Sequence, residues 1–158
     1  MTPKFLKLAL TAHIISAIGW VGALSAFLVL ALAGLVAEDP QTARAAYVAN
    51  DLITRFAIVP FAFSALITGV IQATGTQWGM FRHYWVLFKI VIAMIAFSVL
   101  LMKTASIAYM ADAAATLPDD NLRSLKLSLA GHAVGGLLLL LWAAALAVYK
   151  PRGQVTDS

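Results

Sequence analysis

Cysteine is absent from the 158 residues, which excludes disulfides, thiolate metal sites and thiol redox chemistry together. Charge is scarce: 11% of residues are charged, where a soluble globule carries about a quarter. No phosphate-cradling glycine loop, nucleophile-base-acid set or histidine-carboxylate metal motif occurs. Helices one, three and four, as read below, hold no acidic residue near their middles, so a carboxylate proton relay of the usual transporter kind is not expected. The net charge of +4 comes without a basic run or an aromatic-studded strand, so nucleic acid is not an expected partner.

What the chain has instead is length of apolar sequence. Four stretches, Phe5 to Val36, Leu52 to Ala73, Tyr84 to Met110 and Leu125 to Tyr149, take up most of it. A bilayer's hydrocarbon is ~30 Å thick and a helical residue rises ~1.5 Å, so roughly 20 apolar residues span it, and each stretch is long enough. The expected fold is all-α: a single domain over 1–158, an integral membrane four-helix bundle running up-down-up-down, with helices over about 5–36, 52–73, 84–112 and 120–149. The first stretch opens with lysines and contains Ala23-Leu24-Ser25-Ala26, features shared with cleavable signal peptides. Its apolar run continues to Val36, however, past the ~7–15 residues of a signal core, and it is read as a spanning helix.

Orientation follows from the basic residues. With the amino terminus cytoplasmic, Lys4, Lys7, Arg82, Lys89, Lys150 and Arg152 gather on that side, opposed by Asp157, which is the positive-inside pattern. Both termini are then cytoplasmic and the protein is a multi-pass component of the cytoplasmic (inner) membrane. The other face would carry Glu38, Asp39, Asp51, Asp112, Asp119 and Asp120 with Arg44, Arg55, Lys103, Arg123 and Lys126.

Punctuation sets the helix limits. Glu38-Asp39-Pro40 ends helix one, because the residue before a proline avoids the helical region, and Gln41 to Asn50 reads as a short helical connector. Helix two opens near Asp51 and should kink at Pro60. Gly75 to Gly79 closes it, and Trp78, Phe81, Tyr84 and Trp85 form an interfacial aromatic cluster. Leu117-Pro118-Asp119-Asp120 reads as the turn into helix four, Lys150-Pro151 as its stop, and Arg152 to Ser158 as a polar tail. Small residues supply close helix contacts: Gly19, Gly22, Ala23 and Ser25, then Ser64 and Gly69, then Gly131, Gly135 and Gly136.

Ionisable groups at membrane depth are expensive, which singles out His13, Lys89 and His132. His13 falls level with Gln72 and Lys89 and shares a helix face with Ser16 and Trp20, a face that suits a pocket more than lipid. His132 falls level with Met102 or Lys103 and within reach of Arg55 and Pro60. The two histidines therefore lie in different leaflets, ~15 Å apart at a rise of ~1.5 Å per residue, too far to ligate one iron together, although either alone is a candidate haem or metal ligand with Met102 or water opposite. Plainer roles stand beside these: a histidine bonding a neighbouring carbonyl, Lys89 reaching its ammonium to the interface, Arg55 pairing with Asp51 four residues back. Met80, Met94, Met102 and Met110 are scattered, as packing residues are.

The order of these landmarks resembles a superfamily of four-helix membrane proteins that includes the HemJ-type protoporphyrinogen oxidases and the membrane domain of CopD copper-resistance proteins. Helix one carries Lys7, His13-Ile14-Ile15 and Gly19-Trp20-Val21-Gly22; helix two Arg55-Phe56, Pro60 and Gly69; helix three Trp85-Val86-Leu87-Phe88-Lys89; helix four ends at Lys150-Pro151. The departures are a second histidine of helix three, where this chain has Phe97-Ser98-Val99, and the Asn-Glu-x-Pro start of helix four. The resemblance implies haem b or a porphyrin in the bundle core with a redox role: His13 as axial ligand or proton donor, Lys89 and Arg55 offering charge to propionates, and Trp20 and His132 beside the cofactor. The alternative is a non-enzymatic accessory subunit or small permease without cofactor. Partners on either reading are the lipid bilayer and a second copy or a larger membrane complex.

Overall fold

The computed structural model of the chain describes residues 2–75, 84–114 and 119–149, with side chains in the last span described from Leu122 onward. The expected aromatic pair Trp78 and Phe81, most of the 75–79 and 117–120 turns, the Lys150-Pro151 stop and the polar tail lie outside the described residues. What is described is helical: α1 (Pro3–Val36), α2 (Pro40–Ile53), a π turn (Thr54–Ile58), α3 (Val59–Gly75), α4 (Tyr84–Ala113) and α5 (Asp119–Tyr149).

Each start has a local cause. Thr2 accepts a hydrogen bond from the Phe5 amide and Pro3 sits where a missing N–H costs nothing. Asp39 does the same for α2, its carboxylate accepting from the amides of Gln41 at 3.2 Å and Thr42 at 3.0 Å and from the Thr42 hydroxyl at 2.8 Å, with Pro40 at the first helical position. The expected connector and second helix are in fact one rod, Pro40–Gly75, of 36 residues. Pro40 begins that rod rather than merely ending the one before it. Pro60, where the sequence predicts a kink, stands at the second residue of α3, directly after the π turn. Phe56, whose carbonyl would have faced the Pro60 ring, lies inside that turn, and the Val59 amide reaches back five residues to the Thr54 carbonyl.

Four rods are long and apolar enough to cross a membrane: Pro3–Val36, Pro40–Gly75, Tyr84–Ala113 and Leu122–Tyr149. They alternate in direction, and each packs on two neighbours, so that α2-α3 and α5 stand on opposite sides of the α1–α4 diagonal. The interior is built largely of small side chains, among them Ala31, Ala62, Ala96, Ala130 and Ala133, which let the backbones approach closely. Many large apolar side chains point outward, Phe56 and Met102 at 77% exposure each, a distribution suited to lipid and hostile to water. This is an integral membrane four-helix bundle.

Candidate functional site

Two polar layers join α1 to the second rod. In the layer nearer Pro3, His13 Nδ1 lies 3.1 Å from both the Ala65 carbonyl and Thr68 Oγ1. The Thr68 hydroxyl gives its own hydrogen to the Ser64 carbonyl at 2.6 Å, so Nδ1 carries the hydrogen and donates to both acceptors. Gly69 makes room for the ring: a Cβ there would stand 3.3 Å from His13 Cε1. Gln72 adds a bond from its side-chain nitrogen to the Ala9 carbonyl at 3.4 Å. Lys89, whose ammonium stands 5.5 Å over the Trp85 ring, is within electrostatic reach of His13, as the sequence levels implied.

The layer nearer Val36 was not expected from sequence. Asn50 is fully buried, and its amide is oriented so that nitrogen donates to the Phe27 carbonyl and oxygen accepts from the Ala31 amide, each at 3.2 Å. Tyr47, also fully buried, directs its hydroxyl to the Ala31 carbonyl at 3.4 Å, and its ring presses on Gly34. Lys126 belongs here too. Counted with the charges of the outer face, it is 2% exposed, and its ammonium donates to the Gly34 carbonyl at 3.2 Å while lying 5.9 Å over the Tyr47 ring. A cation there meets the negative end of the α1 dipole, at one of the carbonyls that the last turn leaves without an amide.

Between these layers lies a half-open cavity of about 490 Å³. Trp20 and Phe27 of α1, Thr54 and Ile58 of the π turn, and Lys103 of α4 form three walls; Ser128, Gly131, His132 and Gly135 belong to the fourth, on α5. The π turn thus contributes directly to the site. Thr54 is held by its hydroxyl on the Asn50 carbonyl at 2.7 Å, which ties the cavity wall to the buried amide above it. Gly131 and Gly135 are there for the space: a Cβ at either would meet nothing within 4 Å. The expectation that they make helix contacts is overturned for both, and for Gly22, while Gly19 against Phe61, Gly69 against His13 and Gly136 against Leu24 do pack closely.

His132 is the polar group of the cavity with ligand chemistry. Its Nδ1 lies 2.6 Å from the Ser128 carbonyl, which can only accept, so Nδ1 is protonated and the lone pair is on Nε2. That is the tautomer in which a histidine binds metal, with the other nitrogen fixed by a backbone oxygen. Lys103, which falls level with His132 in the sequence, joins it on the cavity wall.

The sequence candidates therefore divide. Trp20, 4% exposed, and His132 line the cavity together. His13 is bonded beside 65–68, whereas the cavity that His132 lines meets the rod at Thr54 and Ile58, about 15 Å further along at ~1.5 Å per residue. Arg55 is 59% exposed, its Nε 2.9 Å from both carboxylate oxygens of Asp51, and it does not reach the cavity wall. Met102 points outward and is no partner for His132 across the cavity. Among the described residues no three His, Cys, Asp or Glu side chains converge as a metal site. No protein-family model, curated protein or solved structure matches this chain.

Proposed function

We propose that this membrane protein holds a planar, largely apolar prosthetic group, haem b or a related tetrapyrrole, in the central cavity, with His132 Nε2 as its protein ligand. The observation that carries the reading is the His132 ring itself, its Nδ1 hydrogen committed to Ser128 at 2.6 Å on the wall of a cavity of about 490 Å³. That volume falls within the ~300–1,000 Å³ of small-molecule and cofactor sites, and its walls have the usual character, apolar with few polar groups. A haem would supply one-electron redox chemistry. The chain's part is to fix the imidazole tautomer through the Ser128 carbonyl and to exclude water with Trp20, Phe27 and Ile58. His13, whose Nδ1 is bonded to α3 in the other layer, then joins α1 to α3 rather than holding the cofactor.

The test is an oxidised-minus-reduced visible spectrum of protein purified from haem-supplemented cells. A Soret band with a reduced alpha band is expected in the wild type and in His13→Ala and is lost in His132→Ala. An unchanged spectrum in His132→Ala overturns the ligand assignment; a protein without absorbance beyond the aromatic region overturns the cofactor and leaves an accessory subunit or permease. The lysine distribution supports cytoplasmic termini in the inner membrane. Labelling of Ser158→Cys by an impermeant maleimide in spheroplasts with sealed membranes would reverse that orientation.

A further inference from the structure

Along α4, the cavity is faced by Ala96, Val99, Leu100, Lys103 and Ile107, a single helical stripe in which the lysine stands where every other member is apolar. Lys103 is half-buried and lies ten residues, about 15 Å, before the end of α4 at Ala113. An ammonium so placed is costly unless an anion meets it. The acids whose side chains are described are engaged or misplaced. Asp51 binds Arg55, Asp39 caps α2, Glu38 lies in the link between α1 and α2, and Asp112 is nine residues along α4, about half a turn around the helix from Lys103. Among the described residues no hydrogen bond or ion pair is made by the Lys103 ammonium. The other deep lysines are elsewhere, Lys126 on the Gly34 carbonyl and Lys89 over Trp85.

We infer that Lys103 receives a carboxylate of the cavity's ligand, so that the site selects an amphiphile with an apolar body and an acidic group. The inference rests on the reading of the cavity as a ligand site and adds the ligand's charge. In a haem the carboxylate is a propionate; a fatty acid of the surrounding membrane offers the same chemistry. His132 and Lys103 then divide the work, one nitrogen ligating and one ammonium fixing which way round the ligand lies.

The experiment titrates purified protein in detergent with haem b and with its dimethyl ester, in the wild type, Lys103→Met and Lys103→Arg. A charge-assisted bond makes the ester bind about tenfold more weakly to the wild type. Lys103→Met abolishes that preference and Lys103→Arg keeps it. Equal affinity of the wild type for acid and ester, or a preference that survives in Lys103→Met, overturns the inference while leaving the haem site intact. If neither porphyrin gives a shifted Soret band, the haem reading fails, and the same comparison is made with dibromostearic acid and its methyl ester, read as quenching of Trp20 against a Trp20→Phe blank. Stronger quenching by the acid, lost in Lys103→Met, supports the carboxylate assignment; equal quenching by acid and ester ends it.

Discussion

One substitution, glycine to alanine, should change stability in opposite directions at two places in this bundle. Alanine is favoured over glycine in a helix interior by about 0.8–1 kcal/mol. At Gly135 a methyl group meets nothing within 4 Å, so the whole of that gain is realised. At Gly34 the same methyl would stand 2.7 Å from Tyr47 Cε2, 2.9 Å from its Cζ and 3.3 Å from Ala46 Cβ. Tyr47 has no room to retreat, being fully buried with its hydroxyl on Ala31, and α2 must move away from α1. Overpacking of this kind costs about 1–3 kcal/mol, and the shift also strains the Lys126 bond to the Gly34 carbonyl. Taking ~2 kcal/mol for the clash and ~1 for propensity, Gly34→Ala is destabilised by about 1 kcal/mol and Gly135→Ala stabilised by about as much. The gap of roughly 2 kcal/mol corresponds to about 4–8 °C in unfolding midpoint for a chain of this size. Thermal unfolding of the ligand-free variants in one detergent, followed by circular dichroism, reads it directly. Shifts of the same sign, or a Gly34→Ala protein more stable than Gly135→Ala, would refute the packing argument.

Asn50→Leu removes both bonds to the α1 backbone while filling similar space, and should cost about 1 kcal/mol in a denaturant titration; Asn50→Asp should cost more, since it sets an acceptor against the Phe27 carbonyl. Equal losses in the two variants would show that the amide's donor is unimportant. The Thr42 hydroxyl, and then the amides of Gln41 and Thr42, hold the Asp39 carboxyl below its ordinary value of 3.8. A depressed folded value means that its stabilisation is complete above pH 3.8 and is lost as pH falls through the lower folded value. The stability difference between wild type and Asp39→Ala should accordingly shrink below that pH, and a difference independent of pH would remove the cap's charge from the account.

The spans were legible because length and apolarity alone decide them. The limits were less so: Pro40 stops one helix and starts the next, and a proline signals both. His13 and Lys89 fell on one level in sequence and do so in the bundle, since antiparallel rods of constant rise keep count. Lys126 was sorted with the outer charges because charge alone was read, and so was Lys103, although its level already matched that of His132. Periodicity carried a signal against that, since Lys103 falls in step with Ala96, Leu100 and Ile107, and Lys126 with Leu122 and Leu129, all facing inward. The Asn50 amide bridge had no sequence signal beyond a polar residue in a helical connector. Its partners are backbone atoms of α1, which no side-chain pattern announces.

The π turn sets a rule of phase for the second rod. Asn50, Thr54, Ile58 and Ala62 all face inward at a spacing of four, a stripe that would drift by about 40° per step on an ordinary helix and is kept straight by the wider turn at 54–58. Removing one residue from that segment would nearly preserve the phase on ordinary winding, by subtracting about 100°, whereas ordinary winding through all the present residues would carry Ala62 about 120° round from Asn50. Either Tyr47 and Asn50 or Ala65 and Thr68 would then leave α1, and no side-chain adjustment recovers both. Length can be gained or lost at the ends of this rod with local effects, whereas at Thr54–Ile58 the winding of a single turn decides whether its two halves address the same neighbour.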